Sequence, residues 1–244
     1  MKPFDEEGGA AGPEPRTRRL SSSGQEVLKW TAILLMLLDH VAVTFLEGGP
    51  YLAARLLGRL SFPLFAFLVA YNLTARRVDA RRYLGPMLLI GAVSQPAFAF
   101  LFERSSLNIF APLLAGVVLT ALIVASMEGR TPFAGWPGTI ALGVALAAVC
   151  ALWADYGLQG ALITPAWALF LLRPSLAPAL LLAATLMSLN WGWVGWLVPL
   201  LTPGVVFLVA VVVPAGSVSR MPRWLWYLFY PLHLAVLGLI RAVV

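Results

Sequence analysis

VLKWTAILLMLLDHVAVTFL, residues 27–46, is a run of twenty residues that is almost entirely apolar yet includes a histidine near its end. A bilayer core about 30 Å thick needs about 20 helical residues per crossing, so this run predicts a transmembrane helix. The chain has only two histidines, His40 and His233, and the second lies in another such run, WLWYLFYPLHLAVLGLI at 224–240. A titratable side chain in hydrocarbon is costly unless it faces a polar interior, so both histidines are functional candidates.

The composition extends this prediction to most of the 244 residues. Apolar residues make up 60% of the chain and charged residues 11%, which excludes an ordinary soluble domain. We predict an all-α, polytopic bundle of about nine transmembrane helices that forms a single domain over 27–244. Residues 1–26 mix acidic, Gly, Pro and Ser residues, and we predict a disordered cytoplasmic tail there. The predicted spans are 27–46, 52–72, 82–102, 107–127, 137–154, 157–172, 175–190, 194–213 and 223–243.

The basic residues predict the orientation of the bundle. With the N-terminus in the cytoplasm, most Lys and Arg side chains fall on the cytoplasmic side, so the positive-inside rule favours an N-in, C-out chain. The net charge of +6 is then mainly a topology signal, and nucleic-acid binding is not implied. An anionic cytosolic substrate and anionic lipid headgroups both remain open as ligands of this side. Its basic residues are Arg16, Arg18, Arg19, Lys29, Arg76, Arg77, Arg81, Arg82, Arg130, Arg173, Arg220 and Arg223.

The first span has one face that joins the membrane boundary to its interior. Lys29 and His40 are eleven positions apart, which places them on one side of a helix and about 16 Å apart along its axis. Lys29 either holds a phosphorylated ligand at the inner rim or only anchors the helix at the boundary. Asp39 points about 100° away from His40 and therefore needs a different partner.

The second span supplies that partner. Arg55 and Arg59 are four positions apart on one helix face, and an ion pair between Asp39 and Arg59 is the prediction we favour. Pro63 follows in the same apolar run and predicts a kink near Arg59.

Two further positions complete the set of candidates. Tyr230 and His233 fall on the same side of the last helix, just around Pro231. Asp155, in the short connection ADYGLQG, either positions an acceptor amine or only terminates a helix. We expect no metal site, and the lone Cys150 excludes an intrachain disulfide.

Several motifs together resemble one family of membrane proteins. LKWTAILLMLLDHVAVTF, LLGRLSFPLFAFLVAYNL, VSQPAFAF, ADYGLQGAL and WYLFYPLHLAVL occur in this order and resemble the TraX family over 27–244. TraX proteins are associated with N-terminal acetylation of conjugative pilin subunits and look related to the acyltransferase type 3 membrane superfamily. There a basic residue precedes a histidine by eleven positions, which matches Lys29 and His40. Lys29 stands where the superfamily often has Arg, and the acidic, Gly-rich leader is not part of the pattern.

The resemblance implies an acyltransferase of the bacterial cytoplasmic membrane that uses cytosolic acetyl-CoA and acts on an amine or hydroxyl, such as a pilin N-terminus. The residues fit that chemistry, which needs a base, an oxyanion donor and a dry site. Our hypothesis makes His40 the general base, lets Arg59 orient the first helix through Asp39, and completes the pocket with His233 and Tyr230. A proton-coupled transporter and an assembly scaffold are the competing hypotheses.

Overall fold

A computed structural model describes residues 20–129, 136–190 and 194–244 of the chain. These described residues form ten α-helices, one short 3₁₀ helix and no strand, so the all-α prediction is confirmed for them. The helices are α1 Ser22–Phe45, α2 Gly48–Gly58, α3 Ser61–Thr74, α4 Arg81–Phe102, α5 Phe110–Met127, α6 Trp136–Trp153, α7 Gly157–Leu172, α8 Leu176–Ser188, α9 Thr202–Val212, which a 3₁₀ helix at Val198–Leu201 precedes, and α10 Arg223–Val243.

Five helical segments are long and apolar enough to cross a membrane. They are Ser22–Phe45, Gly48–Thr74, Arg81–Phe102, Phe110–Met127 and Trp224–Val243. Four further apolar segments are shorter than a straight crossing requires; they are Ala141–Trp153, Gly157–Leu172, Leu176–Ser188 and Val198–Val212. Every predicted span therefore contains helix, while nine crossings and their N-in, C-out orientation stay predictions.

The start of α1 corrects the predicted boundary of the tail. The helix begins at Ser22, and the Ser21 side chain caps it by accepting a hydrogen bond from the backbone N–H of Gly24 at 2.9 Å. Glu26 is 5% exposed, and its carboxylate accepts a hydrogen bond from the backbone N–H of Met221 at 3.1 Å. The prediction of disorder to residue 26 is therefore wrong for 22–26, and residues 1–19 lie outside the described chain.

The predicted kink in the second span is a break between two helices. α2 ends at Gly58 with Arg59 as its C-cap residue, and α3 begins at Ser61, two residues before Pro63. Proline is tolerated in a first helical turn, where its missing N–H has no intrahelical acceptor. The Ser61 hydroxyl donates a hydrogen bond to the Ala32 carbonyl at 2.7 Å, which ties the break to the middle of α1.

Two hydrogen bonds between the N-terminal and C-terminal segments show that α1 and α10 run in the same direction. Glu26 meets Met221 near the two helix starts, and His40 meets His233 further along both. Since α1 begins the described chain and α10 ends it, the two described chain ends lie at opposite ends of the bundle.

The interior helix α3 runs the other way. Ser61 and Tyr71 of α3 bond to the carbonyls of Ala32 and Leu20, so α3 is antiparallel to α1. Trp167 of α7 is 2% exposed and packs edge-on against Phe67 of α3.

Large apolar side chains remain exposed on the outside of the bundle. Such a surface would be unusual in a soluble monomer and suits side chains that face lipid. Examples on α4, α9 and α10 are Leu88, Leu89, Phe207, Leu232 and Leu239.

Candidate functional site

The two histidines of the chain form a hydrogen-bonded pair between α1 and α10. His40 Nδ1 lies 2.8 Å from His233 Nε2, and the two rings are nearly coplanar, with centroids 5.1 Å apart and planes at 7°. His233 Nδ1 lies 2.8 Å from the Phe229 carbonyl oxygen, one turn earlier in α10. Both histidines are buried, and Phe102 packs edge-on against the His40 ring. A continuous chain of hydrogen bonds therefore runs from His40 through His233 to the Phe229 carbonyl, although the two histidines are 193 positions apart in the sequence.

Tyr230 joins this pair from the same helix. Its ring packs edge-on against His233 at 5.4 Å and against Phe110 of α5 at 4.9 Å. The residue is 3% exposed, and its buried hydroxyl has no hydrogen-bond partner in the described part of the chain. The structure therefore brings together His40, His233 and Tyr230 of the predicted site.

Asp39 lies beside His40 in the sequence but belongs to a different contact. Its Oδ2 accepts a hydrogen bond from Arg55 Nη1 at 2.6 Å, and both side chains are largely buried. We predicted Arg59 for this ion pair; the structure gives the hydrogen-bonded pair to Arg55, one turn earlier in α2. The Arg59 charge acts on both the Asp39 carboxyl and the Tyr156 hydroxyl.

Helix geometry accounts for this division. Neighbouring residues of a helix point about 100° apart, so His40 faces α10 while Asp39 faces α2. The two backbones approach closely at Gly58, where a Cβ atom would lie 2.5 Å from Asp39 Oδ1. A glycine at this position lets α2 approach the Asp39 side chain.

The α6–α7 connection brings Asp155 to the same end of the bundle as the ion pair. Asp155 Oδ1 lies 3.5 Å from Arg104 Nη1, and its backbone N–H donates to the Leu107 carbonyl at 2.8 Å. Burial raises the pKa of the Asp155 carboxyl, against the opposing charges of Arg104 and Arg59. Burial also raises the pKa of the Tyr156 hydroxyl. Asp155 thus takes part in the electrostatics of the Asp39 region.

Lys29, the predicted anchor for a phosphorylated ligand, carries an ion pair of its own. Its Nζ lies 2.7 Å from Glu26 Oε1, three positions earlier in α1. The Lys29 side chain keeps about a quarter of its surface exposed, whereas that of Glu26 is almost fully buried. Lys29 is therefore a partly neutralised cation at the rim of the bundle.

A cavity of about 230 Å³ leads from Lys29 towards the histidine pair. Lys29, Arg82 and Asn72 line its polar end. Met36, one helical turn before His40, and Tyr230, which packs on His233, line its walls further along. The remaining lining is mostly apolar and includes Ile33, Phe65, Leu68, Val69, Met87, Ile90, Ile109, Phe110 and Leu113. Its walls come from α1, α3, α4, α5 and α10.

Comparison with known proteins identifies the family. The model of the TraX protein family matches residues 24–241. The chain belongs to the TraX family. A relative of this TraX chain is the probable fimbrial assembly protein FimC, serogroup H1, of Dichelobacter nodosus. It is 31% identical over 236 residues, which cover 86% of this chain and 92% of that protein. No solved structure matches the chain.

Three contacts and one cavity residue of this TraX protein were not predicted from its sequence. Arg55 shares a helix face with Arg59, and the four-residue spacing alone does not choose between them. The sequence places Glu26 in the predicted tail, and it identifies Arg82 only as a topology signal. The Phe229 carbonyl lies four positions before His233. This spacing predicts a hydrogen bond only if the His233 side chain turns back towards its own helix, which the sequence does not show.

Proposed function

We propose that this protein is an integral-membrane acyltransferase that moves an acetyl group from cytosolic acetyl-CoA to an amine or hydroxyl acceptor. One observation carries the proposal: a cavity with cations at one end and apolar walls leads to the residues around a buried histidine pair. The donor and the acceptor are both substrates, and the protein contributes binding, orientation and proton transfer.

The cavity suits the chemistry of the proposed donor. Coenzyme A thioesters carry phosphates at one end and the reactive thioester at the tip of a slender arm. Lys29 and Arg82 offer positive charge for the phosphates, and the apolar walls suit the arm. Eleven helical residues separate Lys29 from His40, about 16 Å along α1, so the two ends of one ligand would meet different residues.

In the reaction, His40 acts as the general base. The acceptor amine attacks the thioester carbonyl while His40 takes the amine proton. A carbon–nitrogen bond forms, the carbon–sulfur bond breaks, and the departing thiolate takes the proton from His40. Tyr230 lines the cavity beside His233 and would donate a hydrogen bond to the developing oxyanion. Apolar surroundings exclude water, which protects the thioester from hydrolysis.

The charged residues near the pair position the first helix. The Asp39–Arg55 ion pair holds α1 against α2 and so fixes the direction in which His40 points. Arg59 contributes through its charge and through Tyr156. Asp155 is our candidate for the residue that positions the acceptor amine. It lies outside the helices, at the end of the bundle remote from Lys29.

The orientation in the membrane follows from the basic residues. We assign the Lys29 end to the cytoplasm by the positive-inside rule, which gives an N-in, C-out chain in the bacterial cytoplasmic membrane. The cavity then opens towards cytosolic acetyl-CoA, and the Asp39 and Asp155 region faces the outer side.

The acceptor we propose is the N-terminal amine of a pilin subunit. The TraX family and a relative named as a fimbrial assembly protein support a role in pilus biogenesis. A membrane-embedded pilin subunit would reach the histidine pair from within the bilayer or from the outer side.

Donor binding tests the proposal directly. We would purify the protein in nanodiscs and measure acetyl-CoA affinity by calorimetry for the wild type, Arg82→Gln and Ile90→Trp. Arg82 and Ile90 line the cavity, so the first change should weaken binding about tenfold, as expected for one charge-assisted contact, and the second should block it. Arg173→Gln and Leu88→Trp, at exposed positions that do not line this cavity, are the matched controls. A folded wild type that binds no acetyl-CoA would refute the proposal.

A proton-coupled transporter is the alternative. The observation in its favour is that polar groups continue beyond the histidines, from Asp39 to Asp155, towards the other end of the bundle. It predicts uptake of a solute into proteoliposomes driven by a pH gradient and lost in His40→Gln. Acetyl transfer without such uptake would decide for the enzyme.

A further inference from the structure

We infer that His233 is a positioning residue that holds His40 in the tautomer with its proton on Nδ1, which makes Nε2 the basic atom of His40. The assignment of protons rests on the hydrogen bonds alone. Its catalytic meaning rests on the proposed acyltransferase function.

The first step of the argument starts at the Phe229 carbonyl. A carbonyl oxygen only accepts hydrogen bonds, so the His233 Nδ1 that lies 2.8 Å from it carries a proton and donates. In a neutral imidazole the other nitrogen then has a free lone pair. His233 Nε2 is therefore an acceptor.

The second step crosses to α1. His40 Nδ1 lies 2.8 Å from His233 Nε2, and two lone pairs do not form a hydrogen bond. His40 Nδ1 must therefore donate its proton to His233. The lone pair of His40 remains on Nε2, so the site has a single defined base atom.

The packing around the rings keeps this arrangement from inverting. Phe229 stacks on His233 with centroids 4.7 Å apart at 11°, and Phe102 packs edge-on against His40. The histidines are 8% and 7% exposed, so water has little access to exchange partners with either ring. Inversion of the array would place two acceptors, His233 Nδ1 and the Phe229 carbonyl, 2.8 Å apart.

His233, bonded to the Phe229 carbonyl, takes the place of the carboxylate that orients a histidine in many enzymes. A backbone carbonyl or a carboxylate normally fixes the tautomer of a working imidazole. Here the carbonyl acts through a second imidazole, while the neighbouring Asp39 is bonded to Arg55 on another side of α1. When His40 takes a proton at Nε2, its Nδ1–H remains bonded to the His233 lone pair, which stabilises the positive charge that has formed.

Nitrogen-15 NMR tests the inference without any substrate. Protein labelled only at histidine and held in lipid nanodiscs has four side-chain nitrogens, because the chain has two histidines. Protonated and unprotonated ring nitrogens have well-separated shifts, and long-range proton couplings distinguish Nδ1 from Nε2. We expect both rings as the Nδ1–H tautomer, although the Nε2–H form is the commoner one in water. A wild-type His40 protonated on Nε2 would overturn the inference.

Two substitutions separate positioning from packing. In His233→Gln the side-chain carbonyl retains an acceptor for His40 Nδ1–H, whereas His233→Leu keeps bulk and removes the acceptor. We expect His40 to stay mainly Nδ1–H in His233→Gln and to become mainly Nε2–H in His233→Leu. An unchanged His40 tautomer in His233→Leu would overturn the inference, and the wild-type spectrum decides it alone should that variant not fold.

Kinetics on the same variants give a readout that packing alone would not reproduce. His233→Leu should lower kcat at least about 100-fold, the lower end of general-base catalysis, and leave donor KM nearly unchanged. His233→Gln should recover most of that loss. A wild type that shows both expected tautomers but transfers no acetyl group would overturn the proposed function and leave this inference standing. Transfer by a wild type with the other tautomer would overturn the inference alone.

Discussion

Asp39 and His40 are consecutive residues of α1, yet they belong to two regions with opposite physical character. The His40 region consists of two coplanar, hydrogen-bonded imidazoles that are bonded to a backbone carbonyl and lie beside a cavity. The Asp39 region consists of buried charges on α1 and α2, packed closely at Gly58. One helix thus carries the proposed chemistry on one side and its anchoring on another.

Under the proposed function, the difference shows how one helix can be held firmly in place and still present a reactive group. Charges that are paired and buried hold a helix in register, because separating them leaves an uncompensated charge. A base must instead keep a free lone pair near a space where a substrate fits. Substitutions in the His40 region should therefore change catalysis more than stability, and those in the Asp39 region the reverse.

The largest expected effect is on catalysis in the His40 region. His40→Gln should lower the rate of acetyl transfer about 10²- to 10⁴-fold because it removes the general base, with little change in Tm. Acetyl-CoA consumption by purified protein measures this. Val43→Ala, at an exposed position three residues further along α1, is the control and should behave as the wild type.

The second effect is on stability in the Asp39 region. Asp39→Asn and Arg55→Gln should each cost about 3–5 kcal/mol of unfolding free energy, because each strands a buried partner. The double variant should lose far less than the sum of the two. Urea unfolding of the four proteins in detergent gives the coupling energy.

The control cycle uses the Arg104–Asp155 pair, whose arginine is 61% exposed. Its coupling should lie within about 1 kcal/mol of zero. Equal coupling in the two cycles would refute the distinction between a buried ion pair and one whose arginine is exposed.

A third, smaller effect tests the close packing. Gly58→Ala would put a Cβ atom 2.5 Å from Asp39 Oδ1, so it should cost about 1–3 kcal/mol by forcing α2 away from α1. At Gly85 of α4 a Cβ atom meets nothing within 4 Å. Gly85→Ala should be neutral or slightly stabilising, and equal losses of Tm for both variants would contradict the packing argument.

The smallest effect concerns pH and Asp155. Burial raises the pKa of this carboxyl above its ordinary value of 3.8, so the folded protein binds its proton more tightly than the unfolded chain does. The contribution of Asp155 to stability therefore falls as pH rises from that value through the raised pKa. Asp155→Asn should flatten this part of the Tm profile, and a profile parallel to that of the wild type would contradict the shift.

The sequence predicts the helices well and the contacts between them only in part. Each long apolar run became a helix, and Pro63 marked the α2–α3 break within four residues, because hydropathy and proline act locally. The tail boundary was misplaced because the polar residues before Val27, among them Glu26, make contacts with distant segments such as Met221.

Contacts across the bundle depend on information that one helix does not carry. The 100° turn between Asp39 and His40 predicts two partners in different directions, but the choice of Arg55 over Arg59 depends on where α2 ends. The pairing of His40 with His233 needs α1 and α10 to be parallel neighbours, and no local pattern encodes that.

One measurement tests the central claim most directly. Membranes that contain equal amounts of the wild type or His40→Gln are incubated with acetyl-CoA labelled in its acetyl group, and the label in membrane protein and the coenzyme A thiol released are both measured. We predict that the wild type transfers label and releases thiol in equal amounts, and that His40→Gln does neither above background. Equal transfer by the two proteins, or none by a folded wild type in membranes that hold pilin subunits, would contradict the account.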